Sequence, residues 1–419
     1  MGLAVIGRPR AWRPAPVLVQ ESDPRALLEA VLRAHERGRA VAVLDAGWPQ
    51  SMSAAAHTRL AAAASRLGGD DLVVFTSGSG GRPRAVHRSW ESWRASVEPL
   101  ARLLGLGGDD VTWLPGHPAA TAPLYAAWHA TQLGLPVRFA GEPHADATVV
   151  HAPPTLVPRV LRARQAGELP ALRLVVTAGD RVPAALTGWC ADAGVRLVSY
   201  YGAAELSFVA VRDDDRPGYR AFPGVELDVR DGLLWSRSPY QAHGYLDALG
   251  PTQAAALRRA ADGWASVGDV ARWVLPSAPS APSAPSVPSE GAGHRVEILG
   301  RADQAITVSG HTALVEDIEH AFTGLPGVDE LVVVGVPDRV HGARIVALWS
   351  GDPAATPPAE PPTEPPTEFA RAAADLPAPA RPRSWLRVDS LPHTGAGKPD
   401  RTAARELALN RLPGLGERA

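Results

Sequence analysis

Hydroxyl side chains, bare glycines and two arginines crowd into Thr76–Arg84, which reads TSGSGGRPR. A Gly/Ser loop can turn its backbone N–H groups toward an anion because no Cβ blocks the approach. The apolar run Val73-Val74-Phe75 just before it reads as a buried strand that ends where the loop begins. Such a strand end is a natural cradle for phosphate. A flexible surface loop would have the same composition, so the rest of the chain must separate the two.

Other stretches carry chemistry of related kinds. "YYGAAE" puts an aromatic ring, a glycine and the carboxylate of Glu205 at the end of a strand-like run. "VGD" offers Asp269, a carboxylate able to accept two hydroxyl hydrogen bonds at once. "LPHTGAGKPDR" presents Lys398 in a Gly-rich segment. Each has an ordinary alternative: a turn for Tyr-Gly and Gly-Asp, a solvated cation for the lysine. The single cysteine, Cys190, excludes an internal disulfide and any Cys/His zinc spacing. No GxSxG elbow occurs, so hydrolase chemistry has no support.

Positioning these residues requires strands that end in loops. Pro24–Arg37 has helical apolar spacing after a Ser-Asp-Pro start, and "AVAVLDAG" follows as a buried strand. Similar runs recur at "LRLVVTAGD", "VRLVSYYGAAE" and "DELVVVGVPD", with helical patterns over Thr155–Ala166 and Pro183–Ala193 between them. The alternation predicts an α/β fold with its sites at the carboxyl ends of strands. Two segments interrupt it, Pro276–Pro288 ("PSAPSAPSAPSVP") and Pro353–Pro366, and their compositions suit solvated insertions rather than core.

Taken in order, TSGSGGRPRA, VVTAGDRVP, YYGAAELS, DGWASVGDVARW, EILGRADQAITVSGHTALVEDIEHAF and LPHTGAGKPDR resemble the signatures of the AMP-forming acyl-CoA synthetases, the adenylate-forming superfamily. The resemblance covers roughly residues 70 to 405. It implies a large N-terminal adenylate-forming domain of layered sheets and helices, residues 1–300 with the insertion 276–289. A small mobile α+β lid domain would follow, residues 301–419 with the insertion 353–366. It implies that Thr76, Ser77, Gly78, Ser79, Gly80 and Gly81 hold the ATP phosphates with Arg84 as their cation. Arg84 stands where the family has Lys, and Gly80 where it has Thr. Tyr201 would stack on adenine within Tyr201-Gly202-Ala203-Ala204, Ala204 replacing a family Thr, and Glu205 would help to hold Mg2+, which prefers oxygen ligands. Gly179 and Asp180 would line the nucleotide and acyl pockets. Asp269 and Arg301 would meet the ribose and phosphate, Asp303 would be the hinge, and Gly310 would line the CoA channel. Lys398 would be the catalytic lysine. His117, in "LPGHP", matches loosely a family stretch beside the acyl pocket, with an ordinary loop histidine as the alternative.

Only about 70 residues precede the first signature. In that shortness the chain is loosely similar to the compact o-succinylbenzoate–CoA ligases. The expected reaction uses ATP, Mg2+ and coenzyme A to turn a small carboxylic acid into an acyl-adenylate and then a thioester. Loading an acyl carrier protein is the alternative within enzymes, and a non-catalytic nucleotide- or acyl-binding module the alternative outside them. A formal net charge of −2 on 419 residues gives no reason to expect a nucleic-acid partner, and 45% hydrophobic with 21% charged residues is ordinary for a globular chain. Neither a signal peptide nor an 18-residue apolar run is evident, so the expected location is the cytoplasm. Trp113, Trp128 and Trp189 are read as core in preference to pocket lining.

Overall fold

The computed structural model describes residues 15–76, 84–179, 182–183, 185–246, 257–274, 294–301, 305–308, 311–338, 341–351, 367–393 and 399–412. They divide into two bodies, one of residues up to 215 together with 239–246, the other of 216–238 and the residues from 257 onward. The two Pro-rich stretches, Pro276–Pro288 and Pro353–Pro366, lie outside the described residues.

The first body has two sheets. In one, β1 (Val17–Val19), β2 (Val41–Val43), β3 (Asp71–Thr76), β4 (Arg84–Ser89) and β14 (Gly244–Tyr245) lie in that order. β1, β2 and β3 run parallel, and β3 and β4 pair antiparallel from Asp71↔Ser89 to Thr76↔Arg84. The predicted phosphate loop is therefore the connection of a hairpin. The other sheet runs β10 (Ser207–Arg212), β9 (Arg196–Ala203), β8 (Leu174–Thr177), β7 (Val149–Ala152), β5 (Thr112–Leu114), β6 (Val137–Phe139). It is parallel from β6 to β9, and β9 turns back antiparallel into β10.

Helices cover these sheets because their apolar faces need partners. α1 (Pro24–Glu36) starts where Asp23 accepts the Ala26 N–H at 2.7 Å, the capping read in "SDP". Its Leu28 joins Ala126, Ala127 and Ala130 of α5 (Thr121–Gln132) over Leu114, Val137 and Phe139. α2 (Gln50–Ala63) buries Ala56, Leu60 and Ala63 against Val73, Phe75 and Ala85 of the hairpin. α3 (Trp90–Arg94) and α4 (Val97–Leu104) follow β4 directly. α6 (Val157–Gln165) and α7 (Ala185–Asp192) pack Val160, Leu161, Leu186 and Cys190 on Val150 and Val175. Trp128 is buried, in contact with Trp90 and Trp93, so it is core as expected. Trp113 stacks on His144, whereas Trp189 is 49% exposed.

The second body begins with β11 (Tyr219–Ala221), β12 (Glu226–Arg230), β13 (Leu233–Arg237), β15 (Arg258–Arg259), β16 (Ala265–Ser266), β17 (Asp269–Val274) and β18 (Arg295–Arg301). The strand order is β15-β16-β13-β17-β18-β11, with β12 paired to β13 through an Asp231-Gly232 turn in which both residues have positive φ. The hairpin β19 (Ala305–Val308) and β20 (His311–Leu314) comes next, then α8 (Val315–Ala321). A three-stranded sheet of β21 (Glu330–Asp338), β22 (Gly342–Ser350) and β23 (Ser384–Arg387) follows, with α9 (Thr367–Ala374) and α10 (Arg401–Arg411). Ile306, Ile318, Phe322, Val333, Trp349, Phe369 and Trp385 form one core here. Among the described residues no helix is long and apolar enough to cross a membrane.

Candidate active site

Thr76 ends β3 opposite Arg84, the first residue of β4, and its buried hydroxyl has no hydrogen-bond partner among the described residues. An orphaned buried hydroxyl has a desolvation cost that a ligand oxygen can offset. Ser77, Gly78, Ser79, Gly80 and Gly81 lie outside the described residues. The flanks nonetheless fix where that loop starts and ends.

Arg84 lies over the ring of Tyr245, with its guanidinium carbon 5.9 Å from the centroid. The Tyr245 hydroxyl donates to Glu205 Oε1 at 2.6 Å. Burial raises the Tyr245 pKa above its ordinary value, and the neighbouring Glu205 raises it further, so the phenol stays neutral and donates to Glu205. A cation, a phenol and a carboxylate are thus gathered in one place. The sequence reading named Arg84 and Glu205 but missed the tyrosine that links them.

Glu205 sits in the turn between β9 and β10, where Ala203 pairs with Ser207 and Gly202 with Phe208. A Cβ on Gly202 would lie 2.1 Å from the Ser207 carbonyl oxygen, so the close hairpin itself requires glycine there. Ser207 holds φ +62, an uncommon value for a non-glycine residue, and the turn that presents Glu205 is constrained accordingly. Tyr201 and Ala203 are half-buried at the end of β9, and Ala204 is half-buried in the turn itself.

Arg88, also unnoticed in the sequence reading, holds that turn from behind. It is fully buried, donating to Ala204 O at 2.9 Å, to Tyr240 O at 2.7 Å and to Ser92 Oγ at 3.0 Å, with the Trp93 ring 5.2 Å away. Burial pushes its pKa down to about 9, and the neighbouring Tyr125 and Glu205 work against that shift. The guanidinium remains charged, its donors ending on oxygen atoms. Arg88 fixes both the turn that carries Glu205 and the segment that leads to Tyr245.

Gly179 follows β8 with φ +90, a left-handed position that suits glycine, while Asp180 lies outside the described residues. His117 is turned to its own surroundings: its Nδ1 accepts the Ala119 N–H, and its Nε2–H donates to Ser22 O at 3.1 Å. Ser22, Asp45, Ala46, Gly47 and His117 line a shallow pocket.

In the second body, Asp269 and Arg301 are register partners across the antiparallel pair β17–β18. Two residues separated by a long Pro-rich insertion are therefore neighbours on one sheet. Asp303, Gly310 and Lys398 lie outside the described residues. The ends of the Lys398 segment are fixed: His393 and Pro399 form a bridge, and Asp400 caps α10 by accepting the Thr402 and Ala403 N–H groups. Arg401 pairs with Glu319 of α8, one bond measuring 2.9 Å.

The family model for AMP-binding enzymes matches residues 13–246, and that for the AMP-binding enzyme C-terminal domain matches residues 317–398. The chain belongs to the AMP-binding enzyme family. Within it, the chain is 26% identical to an uncharacterised acyl–CoA ligase, YhfT of Bacillus subtilis, over 79% of this chain and 67% of that protein. It is 27% identical to a probable 2-succinylbenzoate–CoA ligase of Mycobacterium tuberculosis, over 79% of this chain and 83% of the relative. Among solved structures it is similar to the o-succinylbenzoate CoA synthetase of Bacillus subtilis in complex with an acyl-adenylate intermediate. That match has a TM-score of 0.74 at 15% identity, over 93% of this chain and 87% of that one, and it shows the shared fold. The observed architecture, a large sheet-rich N-terminal part followed by a small C-terminal α/β part, is the one the family resemblance implied.

Proposed function

We propose that the chain activates a carboxylic acid with ATP and passes the acyl group to a thiol, coenzyme A. A carboxylate oxygen attacks the α-phosphorus, the bond to pyrophosphate breaks, and an acyl-adenylate forms. The thiol sulfur then attacks the acyl carbon, AMP leaves, and the thiol proton goes to solvent. Family membership supports the reaction class, as do the CoA-ligase names of the relatives. The observation that carries the site is the Arg84–Tyr245–Glu205 cluster beside the orphaned Thr76 hydroxyl.

Phosphoryl chemistry of this kind needs positioning and charge stabilisation more than covalent help. Arg84 supplies a fixed cation at the end of the Gly/Ser loop. Glu205 offers oxygen of the type Mg2+ prefers, and its burial beside a neutral phenol fits that role. Mg2+, when bound, would neutralise phosphate charge there. Tyr201 offers its ring to adenine, and Asp269 offers two acceptors to the ribose hydroxyls. Lys398 supplies positive charge to the adenylation step.

A carrier protein is the second acceptor to consider, because a fatty acid–acyl-carrier-protein ligase of Mycobacterium marinum is 26% identical over 82% of this chain and 69% of that protein. Purified enzyme, MgATP and a panel of fatty, aryl and dicarboxylic acids are incubated with CoA, with a phosphopantetheinylated carrier protein, or with neither. Thioester and AMP appearing with CoA support the proposal. Thioester formed only on the carrier protein would replace CoA as acceptor, and no AMP with any acid would refute acid activation.

A further inference from the structure

On the face of the β3–β4 hairpin opposite Arg88, three metal-ligating side chains meet that the acid-activation chemistry does not use. Asp71 opens β3, His87 lies within β4, and His243 immediately precedes β14. One potential ligand atom from each lies within 4.8 Å of the other two. His87 Nε2 is 2.9 Å from Asp71 Oδ1, and the His87 and His243 rings are 4.9 Å apart. The His87 Nε2 is buried yet has no well-aligned hydrogen-bond partner among the described residues, despite that short approach to the carboxylate.

We propose that Asp71, His87 and His243 form a binding site for a divalent transition metal, zinc foremost. Two imidazoles and one carboxylate are a donor set that zinc accepts, and three protein ligands leave a fourth position to water. The backbone holds the three together. The His243 N–H donates to His87 O at 2.8 Å, Gly244 pairs with His87, and Asp71 pairs with Ser89. Outer contacts also fit: Asp71 Oδ2 accepts the Gly68 N–H at 2.6 Å, leaving Oδ1 turned to His87. His243 is exposed, so an ion has a path in from solvent.

The ion would clip the segment that carries Tyr245 to the hairpin that carries Thr76 and Arg84. Metal occupancy would then steady the Tyr245–Glu205 contact without touching it.

The test uses full-length, untagged protein stripped with a chelator and titrated with Co2+, whose visible absorption reports ligand number and geometry, followed by displacement with Zn2+. One equivalent is expected to bind with a low-symmetry visible spectrum, and Zn2+ should raise the melting temperature. His87→Ala and His243→Ala should each weaken that binding by about a hundredfold or more, since loss of even an outer-shell partner costs about 10–100-fold. Both variants should abolish the melting shift, whereas His57→Ala should leave it. Circular dichroism of the metal-free variants checks that they fold, and His243→Gln provides a second exposed-loop change should His87→Ala fail to do so. Absence of stoichiometric binding, or binding that His243→Ala and His243→Gln leave unchanged, would overturn the site.

Discussion

Arg84, Tyr245 and Glu205 concentrate charge and hydrogen bonding at one point, and their substitutions should separate cleanly. Arg84→Ala is expected to raise the KM for ATP far more than that for the acid, and Arg84→Lys to restore it, because a point charge also holds phosphate. Tyr245→Phe removes a donor to the Glu205 carboxylate, worth about 1.5–3 kcal/mol, so kcat/KM for ATP should fall roughly 10- to 100-fold. Steady-state kinetics with ATP varied at saturating acid measures both; an unchanged ATP dependence in each would detach this cluster from the nucleotide. Arg88→Met should lower stability by about 3 kcal/mol, since two buried carbonyls, those of Ala204 and Tyr240, lose their donor. Urea unfolding checks this. A change within about 0.5 kcal/mol, the range of neutral surface substitutions, would mean that Arg88 bears little of the turn. Gly202 and Glu205 were named through the ordered signatures, since their types alone read as an ordinary turn. Arg88 and Tyr245 were not, because their partners lie far off in the chain, at separations of 116 and 152 residues for Arg88 and 40 for Tyr245. A lone arginine in a strand reads as solvated until the fold buries it.

At the scale of elements, periodicity located what local physics determines. The helix from Pro24 and the strand runs ending at Thr76, Thr177 and Ala203 emerged as read, since capping, apolar spacing and β-branched runs act within a few residues. The antiparallel return of β9 into β10 was not legible as pairing, because register depends on the partner strand. The Pro/Ser/Ala stretch is flanked by Val274 and Arg295, which are register partners across β17 and β18. The two ends of that connection are thus adjacent, and deletion of Ser277–Ser289 should leave turnover nearly intact, with stability equal or slightly higher, since each halving of a loop recovers only ~0.6 kcal/mol. Collapse of turnover in a folded deletion variant would give the segment a function. A further effect belongs to α5: His129 is 1% exposed, and burial lowers its pKa although its hydrogen bond to Val97 O works the other way. Its neutral form is the folded form, so its contribution is complete above pH ~6.5 and is lost as pH falls toward its depressed folded value. Stability should drop by up to about 1.4 kcal/mol per pH unit below that point, and His129→Phe should flatten the slope. Urea midpoints across that range measure it; identical slopes in both proteins would refute the assignment.

For the whole molecule, the ordered signatures located the family, while the physics of each short motif alone left a turn or a solvated loop as an equal choice. Asp269 and Arg301 illustrate why: their pairing needs two strands to meet across an insertion, which no single stretch of sequence states. The acceptor thiol and the acid are matters of pocket shape, and few residues in the chain announce them. Adenylation itself is open to direct measurement. Enzyme, MgATP, labelled pyrophosphate and each acid of the panel, with no thiol present, should transfer label into ATP only when the correct acid is included. Lys398→Ala should reduce that exchange by on the order of a thousandfold, the worth of a unit charge at about 4 Å and an effective dielectric near 20. Exchange that proceeds without any acid, or release of ADP and phosphate in place of AMP and pyrophosphate, would contradict activation of a carboxylic acid as its adenylate.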